Sequence, residues 1–182
     1  MKGYIMDKDI MLTVAQLMEL AGRTAPKGGG KDYVVQEIIS GKQLGTLANA
    51  MEKYASSSSE RKAFIGRDGG NVRNSDALLL IGLKNAQPSG LDCGACGYKS
   101  CGECVSKIRP GVEFTGPTCA MRLLDLGVAL GSAVRTASMF NADNRMMYSA
   151  GTVAVRAGLI DADIAIGVPI SVSGKNIYFD RR

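Results

Sequence analysis

Apolar residues fill the stretch from Ile10 to Ala21 except at Thr13, Gln16 and Glu19. Polar positions at every third residue leave one narrow wet stripe on an otherwise buried helix. Asp7 and Asp9 suit its first turn, where the helix dipole favours negative charge. The segment Gly22-Arg23-Thr24-Ala25-Pro26-Lys27-Gly28-Gly29-Gly30-Lys31 breaks it, because Pro26 and three consecutive glycines cannot carry a helix on. Tyr33 to Ile39 then predicts a strand closed by Gly41. Leu44, Leu47, Ala48, Met51 and Ala55 recur at helical spacing and predict a second amphipathic helix that runs out in the Ser56 to Ser59 tract.

Arg67-Asp68-Gly69-Gly70-Asn71 reads as a turn, and Ala77 to Leu83 is an apolar run short enough for a buried strand. From Cys119 to Phe140 the chain is apolar but rich in small residues, as a central helix in close contact with its neighbours requires. Asn141 to Ala157 predicts a further helix, capped by Asp143 and stopped by Gly158. Ala162 to Gly167 and Ile177 to Phe179 predict two last strands around a turn at Pro169. Helices and strands interleave throughout. The expectation is one layered α+β domain over residues 1–182, carrying a cysteine-rich insertion at about 90–119.

Length and composition narrow the function classes. The chain has 182 residues, 46% of them hydrophobic and 21% charged, enough for a proper core without disulfide staples. The net charge of +5 is scattered along the sequence, and the four Phe and six Tyr do not interleave with basic residues. Nucleic acid is therefore not the indicated partner, and a phosphate-bearing small molecule accounts equally well for the excess charge. No stretch is apolar and long enough to span a membrane, and Met1 to Met11 has no continuous apolar core of the kind a secretory signal needs. A cytoplasmic location follows as the expectation, with thiols kept reduced and available to metals. Histidine is absent, which removes Ser-His and Cys-His catalysis together with every histidine-ligated metal site.

Candidate chemistry concentrates in the cysteines. Four of the five fall in Asp92-Cys93-Gly94-Ala95-Cys96-Gly97-Tyr98-Lys99-Ser100-Cys101-Gly102-Glu103-Cys104, and the fifth is Cys119. Read as Cys93-x2-Cys96-x4-Cys101-x17-Cys119, this is a chelating loop with one distant closing ligand, a pattern that suits an iron-sulfur cluster. Glycines 94, 97 and 102 let the backbone curl round an inorganic core. The rival is structural zinc on two C-x2-C pairs, but only four residues separate the pairs, far fewer than zinc folds use. Cys104 competes with Cys119 for the fourth position. As x2 partners on a helical turn, Cys101 and Cys104 are expected to point apart, leaving Cys104 as a core thiol.

The spacing Cys93, Cys96, Gly97, Cys101 and distant Cys119 resembles the iron-sulfur domains of electron-transport subunits and corrinoid-protein partners of anaerobes. Over nearly its full length the chain resembles the uncharacterised ferredoxin-domain proteins of anaerobic bacteria and archaea. The shared residues are Ala25-Pro26-Lys27-Gly28-Gly29-Gly30, the cysteine loop from Asp92 to Tyr98, Asp125-Leu126-Gly127, Asp143-Asn144-Arg145 and Gly174-Lys175-Asn176-Ile177-Tyr178-Phe179-Asp180-Arg181. That resemblance implies a 4Fe-4S cluster and brings no activity with it.

A looser resemblance is to flavin-dependent nitroreductases. It rests on the glycine segment from Ala21 to Gly29, the helix near Leu123 to Ser132, and Ile164-Ala165-Ile166-Gly167-Val168-Pro169. It implies a nitroreductase-like scaffold, a homodimer, and FMN as a candidate cofactor at the subunit interface. Arg23, Lys27, Gly28, Gly29, Lys175 and Arg181 are the candidate flavin-binding residues, since free amides and positive charge receive a phosphate. The chain departs from that family in lacking its Arg-rich start and in having Lys27 and Gly30 where the family has Ser and Asn. Asp143-Asn144-Arg145 reads as a helix cap with a salt bridge. The expected partner is a redox protein or a small-molecule substrate. Two further readings are a flavin-free electron carrier and a zinc-stabilised binding module.

Overall fold

The structure is a computed structural model that describes residues 8–57 and 62–179. Its frame is an antiparallel sheet in the order β1 (Val34–Ser40), β2 (Ala77–Leu83), β6 (Ile164–Ser171), β5 (Asp143–Asn144). Strand β2 is buried along its whole length, so its side chains alternate between two apolar layers. Leu79, Ile81 and Leu83 face helices α1 (Lys8–Thr24) and α5 (Ala120–Met139). Leu78 and Leu80 face α2 (Lys42–Ser56), α3 (Phe64–Arg73) and α6 (Tyr148–Arg156). The result is three layers with helices on both faces of the sheet. Between β2 and α5 the chain makes an excursion that contains the short helix α4 (Cys101–Ser106) and a ribbon of β3 (Arg109–Pro110) with β4 (Thr115–Gly116).

The apolar spacing anticipates α1, α2, α5, β1 and β2 to within a few residues. The large apolar residues of helix α1 are not all buried: Met11, Val14 and Met18 are, while Ile10, Leu17 and Leu20 are exposed. The expected single polar stripe is thus too narrow, because a helix in an outer layer covers the sheet with one face only.

Four local expectations are corrected. The glycine pair at 69–70 lies inside α3 and is not a turn. A Cβ on Gly69 would meet the Ala48 carbonyl oxygen and Met51 Cβ at 3.2 Å each, so close packing on α2 requires glycine there and overrides its low helix propensity. Asp143 does not cap a helix: Asp143 and Asn144 pair with Ser171 and Ile170 as β5, and α6 begins at Tyr148.

Pro169 sits within β6, opposite Leu78, and makes no turn. Strand β5 stops one rung short of it, and the ladder resumes only at the Met147–Gly167 bridge, which spares the β5 side a donor that proline lacks. Ile177–Phe179 is a 3-10 turn, not a strand, held by buried Tyr178, whose hydroxyl lies 3.0 Å from Ser75 Oγ. The end of the Ser56 to Ser59 tract lies outside the described residues.

Candidate metal centre and the adjoining glycine-loop pocket

The cysteine loop is built from short-range hydrogen bonds. Ser100 caps α4 by accepting from the Glu103 N–H at 3.1 Å, and the Glu103 carboxylate accepts from the Lys99 N–H at 2.9 Å. This is a close variant of a capping box. Asp92, held at a left-handed φ of 46°, accepts from the Cys101 N–H at 2.6 Å and so pins the start of the loop to the start of α4. Gly94 and Gly97 also carry positive φ, 72° and 86°, and Gly97 N–H donates to Gly94 O at 2.9 Å, closing the turn between the first two cysteines.

All five cysteines line one small pocket, with Pro88, Tyr98 and Ala120 among its other walls. None is paired in a disulfide. Cys119, remote in sequence, arrives because it is the residue from which α5 starts. Cys93 is exposed, Cys96 and Cys101 are half-buried, and Cys104 and Cys119 are buried. Cys104 does not point away from Cys101, as the sequence led us to expect. Residues three apart on a helix share a face, and both residues line the pocket.

Two of the thiols are perturbed in opposite senses. Burial, with hydrogen bonding to Cys96 and the proximity of Cys96, Cys119 and Cys101, pushes the Cys104 thiol up to about 11. Burial also pushes on Cys119, yet the amides of Ser89, Arg122 and Met121 and the Ser89 hydroxyl outweigh it and hold that thiol below its ordinary value. The Ser89 hydroxyl stands 3.9 Å from its sulfur. The start of a helix favours the anion a metal needs.

The donor set fits an iron-sulfur cluster: thiolates only, backbone amides round them, and neither histidine nor carboxylate lining the wall except Asp92. Among the described residues no three of His, Cys, Asp or Glu stand close enough to grip one metal ion.

Next to this pocket lies a cavity of about 330 Å³, lined by Gly28, Gly29, Lys31, Ser89, Leu91, Met121, Arg122, Leu124 and Asp125. Ser89 touches both: it lines the cavity and reaches Cys119. The wall is organised by a residue the sequence reading passed over. Arg122, 2% exposed, donates from Nη1 to Gly28 O and to Asp125 Oδ2, each at 2.9 Å, and from Nε to Gln87 O at 2.8 Å. Its guanidinium stands 5.0 Å from the Tyr33 ring centre. Asp125 in turn accepts from the Gly28 N–H at 2.8 Å. The signal was present in the sequence as two opposite charges, Arg122 and Asp125, three apart in the otherwise apolar first half of the helix.

The candidate flavin residues do not all converge. Gly28 and Gly29 line the cavity. Lys27 turns back to donate to Gly22 O at 3.1 Å and to Arg23 O, closing the end of α1. Arg23 pairs with Asp32 and with Val34 O, both at 2.8 Å. Lys175 follows the end of β6 that pairs with Ala77, whereas the glycine loop precedes the end of β1 that pairs with Leu83, so the two belong to opposite ends of the sheet. Arg181 lies outside the described residues.

The comparisons agree with this architecture. A nitroreductase with bound FMN from Desulfitobacterium hafniense superposes with a TM-score of 0.56 at 12% identity, covering 96% of this chain and 82% of its own. A BluB-like flavoprotein from Clostridium difficile gives 0.57 at 14%, covering 100% and 87%. The FMN-dependent nitroreductase NfnB from Mycobacterium smegmatis, in complex with NADPH, gives 0.56 at 10%, covering 90% and 78%. The fold is nitroreductase-like.

An uncharacterized protein of Archaeoglobus fulgidus is 45% identical over 167 residues, covering 92% of this chain and 89% of its own. The model of a family described as "Uncharacterized protein containing a ferredoxin domain (DUF2148)" matches residues 115–181, a span that includes Cys119, Arg122 and Asp125. A ferredoxin domain is a module that holds an iron-sulfur cluster. Cysteine pocket, family match and near full-length relative agree, and the chain belongs to the family of uncharacterized proteins containing a ferredoxin domain.

Proposed function

We propose that this chain is a cytoplasmic redox protein, one domain over residues 1–182, whose insertion at about 90–119 holds a 4Fe-4S cluster on Cys93, Cys96, Cys101 and Cys119. The observation that carries the reading is the adjacency of the two pockets: five thiols line the first, and the second opens beside it across Ser89. A cluster in the first supplies one electron at a time. The second is the place for the acceptor. Its volume suits a small ligand, Leu91, Leu124 and Met121 offer it an apolar wall, and Lys31 stands at its rim for an anionic group.

FMN is the cofactor this geometry first brings to mind, because the fold's neighbours include proteins with bound FMN. Gly28 and Gly29 would hold it. Arg122 would set the height of the glycine loop through Gly28 O, and Leu91 and Leu124 would keep water from the face of a planar ring. A bound flavin couples single electrons to hydride chemistry.

A second reading, a flavin-free electron carrier that docks a protein partner, is favoured by one specific observation. Lys27 and Arg23 are engaged within the loop, which removes two of the cations expected to meet the flavin phosphate. Anaerobic purification followed by iron, sulfide and flavin analysis decides the matter. The expected result is about four irons and four sulfides per chain with a broad visible shoulder. Stoichiometric flavin selects the enzyme, and its absence with no turnover of nicotinamide or artificial acceptors selects the carrier. A colourless protein containing zinc overturns both.

A further inference from the structure

A 4Fe-4S cluster takes four thiolates, and the pocket offers five. We propose that Cys104 is a reserve ligand, able to replace Cys93 at the exposed corner of the cluster while Cys96, Cys101 and Cys119 stay in place. The inference rests on the cluster reading above and goes beyond it in giving the fifth cysteine a role.

The two residues differ in how they are held. Cys104 is 1% exposed and sits on the inner face of α4, one turn beyond Cys101. That helix is fixed by the Ser100 cap, by Glu103 bonded to the Lys99 N–H, and by Asp92 bonded to the Cys101 N–H. None of these contacts involves Cys93. The thiol neighbours of Cys104 are Cys96, Cys101 and Cys119, the three other members of the proposed ligand set. Cys104 therefore completes a four-thiolate set by itself. Cys93 is the one exposed thiol of the five, in a loop between Asp92 and Gly94, both at positive φ. It is the ligand that solvent and oxidants reach first.

The exchange balances without an oxidant. The iron–sulfur bond to Cys93 breaks and the bond to Cys104 forms; the Cys104 proton leaves, and the released Cys93 thiolate takes one up. No atom changes oxidation state. The consequence for the chain is that loss or oxidation of its outermost ligand does not by itself cost an iron.

The test compares iron and sulfide per chain, and the electron paramagnetic resonance of the dithionite-reduced protein, in anaerobically reconstituted wild type and variants. Cys104→Ala and Cys104→Val should keep about four irons per chain, the two substitutions separating loss of a ligand from loss of packing. Cys93→Ser should also keep about four, with a shifted resonance, whereas Cys93→Ser combined with Cys104→Ala should fall to three or fewer. Cys101→Ser should fall as far with Cys104 intact, with circular dichroism reporting whether each variant is folded. Cys93→Ser losing its cluster as completely as the double variant overturns the proposal, as does a double variant that retains full iron. Folded Cys104 variants that hold no cluster overturn it too, since they make Cys104 an obligate ligand. A wild type without iron instead refutes the cluster reading on which the inference rests.

Discussion

Arg122 shows how much of this protein hangs on single side chains. It is a buried cation bound to a carboxylate on its own helix and to the carbonyls of two other segments, Gly28 and Gln87. Breaking a buried pair strands the remaining charge, typically at a cost of 3–5 kcal/mol. Arg122→Met should accordingly lower stability by about 3 kcal/mol in urea unfolding, and adding Asp125→Asn should return part of that loss. A double variant no more stable than Arg122→Met alone would show that the pair is not the source of the effect.

Residues of this type are also where the sequence was least legible. The thiols proposed as metal ligands stood out by spacing, because chelation imposes a short range on them. The partners of Lys27 and Arg122 meet only in the folded chain, so Lys27 was read as a flavin contact although it closes the end of α1. Cys104 was misread for a different reason: the shared helical face of i and i+3 was overlooked.

Elements were read well wherever their own periodicity decided the outcome, as in α2, α5 and the fully apolar β2. They were misread where a distant partner decided. Gly69 is helical because α2 approaches it, and Asp143 is extended because β6 pairs with it. The insertion depends on such a partner too. Glu113, in the loop of the β3–β4 ribbon, accepts from Tyr54 Oη at 2.6 Å and from Lys62 Nζ at 2.5 Å, which fastens the insertion to α2. The Tyr54 ring is flanked by Lys62 at 5.5 Å and Arg156 at 5.1 Å.

Burial pushes the Glu113 carboxyl up, but hydrogen bonds from Lys62 and Tyr54 prevail and hold it below the ordinary carboxylate value. A lowered folded pKa contributes stability that is present above the unfolded value of about 4.3 and is lost as pH falls through the folded value. Protection from hydrogen exchange in the β3–β4 ribbon, with the acid slowing of intrinsic exchange factored out, should therefore fall below about pH 4 in the wild type. Glu113→Gln should exchange several-fold faster already at neutral pH and respond less to acid. Unchanged neutral-pH exchange in that variant would mean the tether does not restrain the insertion.

At the scale of the molecule, the layer formed by α1 and α5 leaves apolar side chains in water. Leu17 and Leu20 on α1 and Leu124 and Val128 on α5 are all at least 36% exposed. A Cβ at Gly127 or Gly131 would meet nothing within 4 Å, so the outer face of α5 is also unusually flat. We propose a second copy of the chain as the cover for this face, the homodimer that the resemblance to nitroreductases implies. Light scattering on the purified protein should return twice the chain mass, and Val128→Glu should return the chain mass with the fold intact. A wild type that stays monomeric at high concentration would leave the homodimer without support.

The first turn of α5 starts at Cys119 and, within two further turns, presents Arg122 to the glycine loop and Asp125 to the Gly28 amide. Anyone wishing to transplant the cysteine loop into another scaffold would have to move this stretch of helix and the Gly22 to Val34 segment along with it. One residue added or deleted between Cys119 and Asp125 would rotate one station by about 100° relative to the other. Apart from Arg122, the residues between these two positions should thus tolerate substitution, but the spacing should not tolerate a change of length.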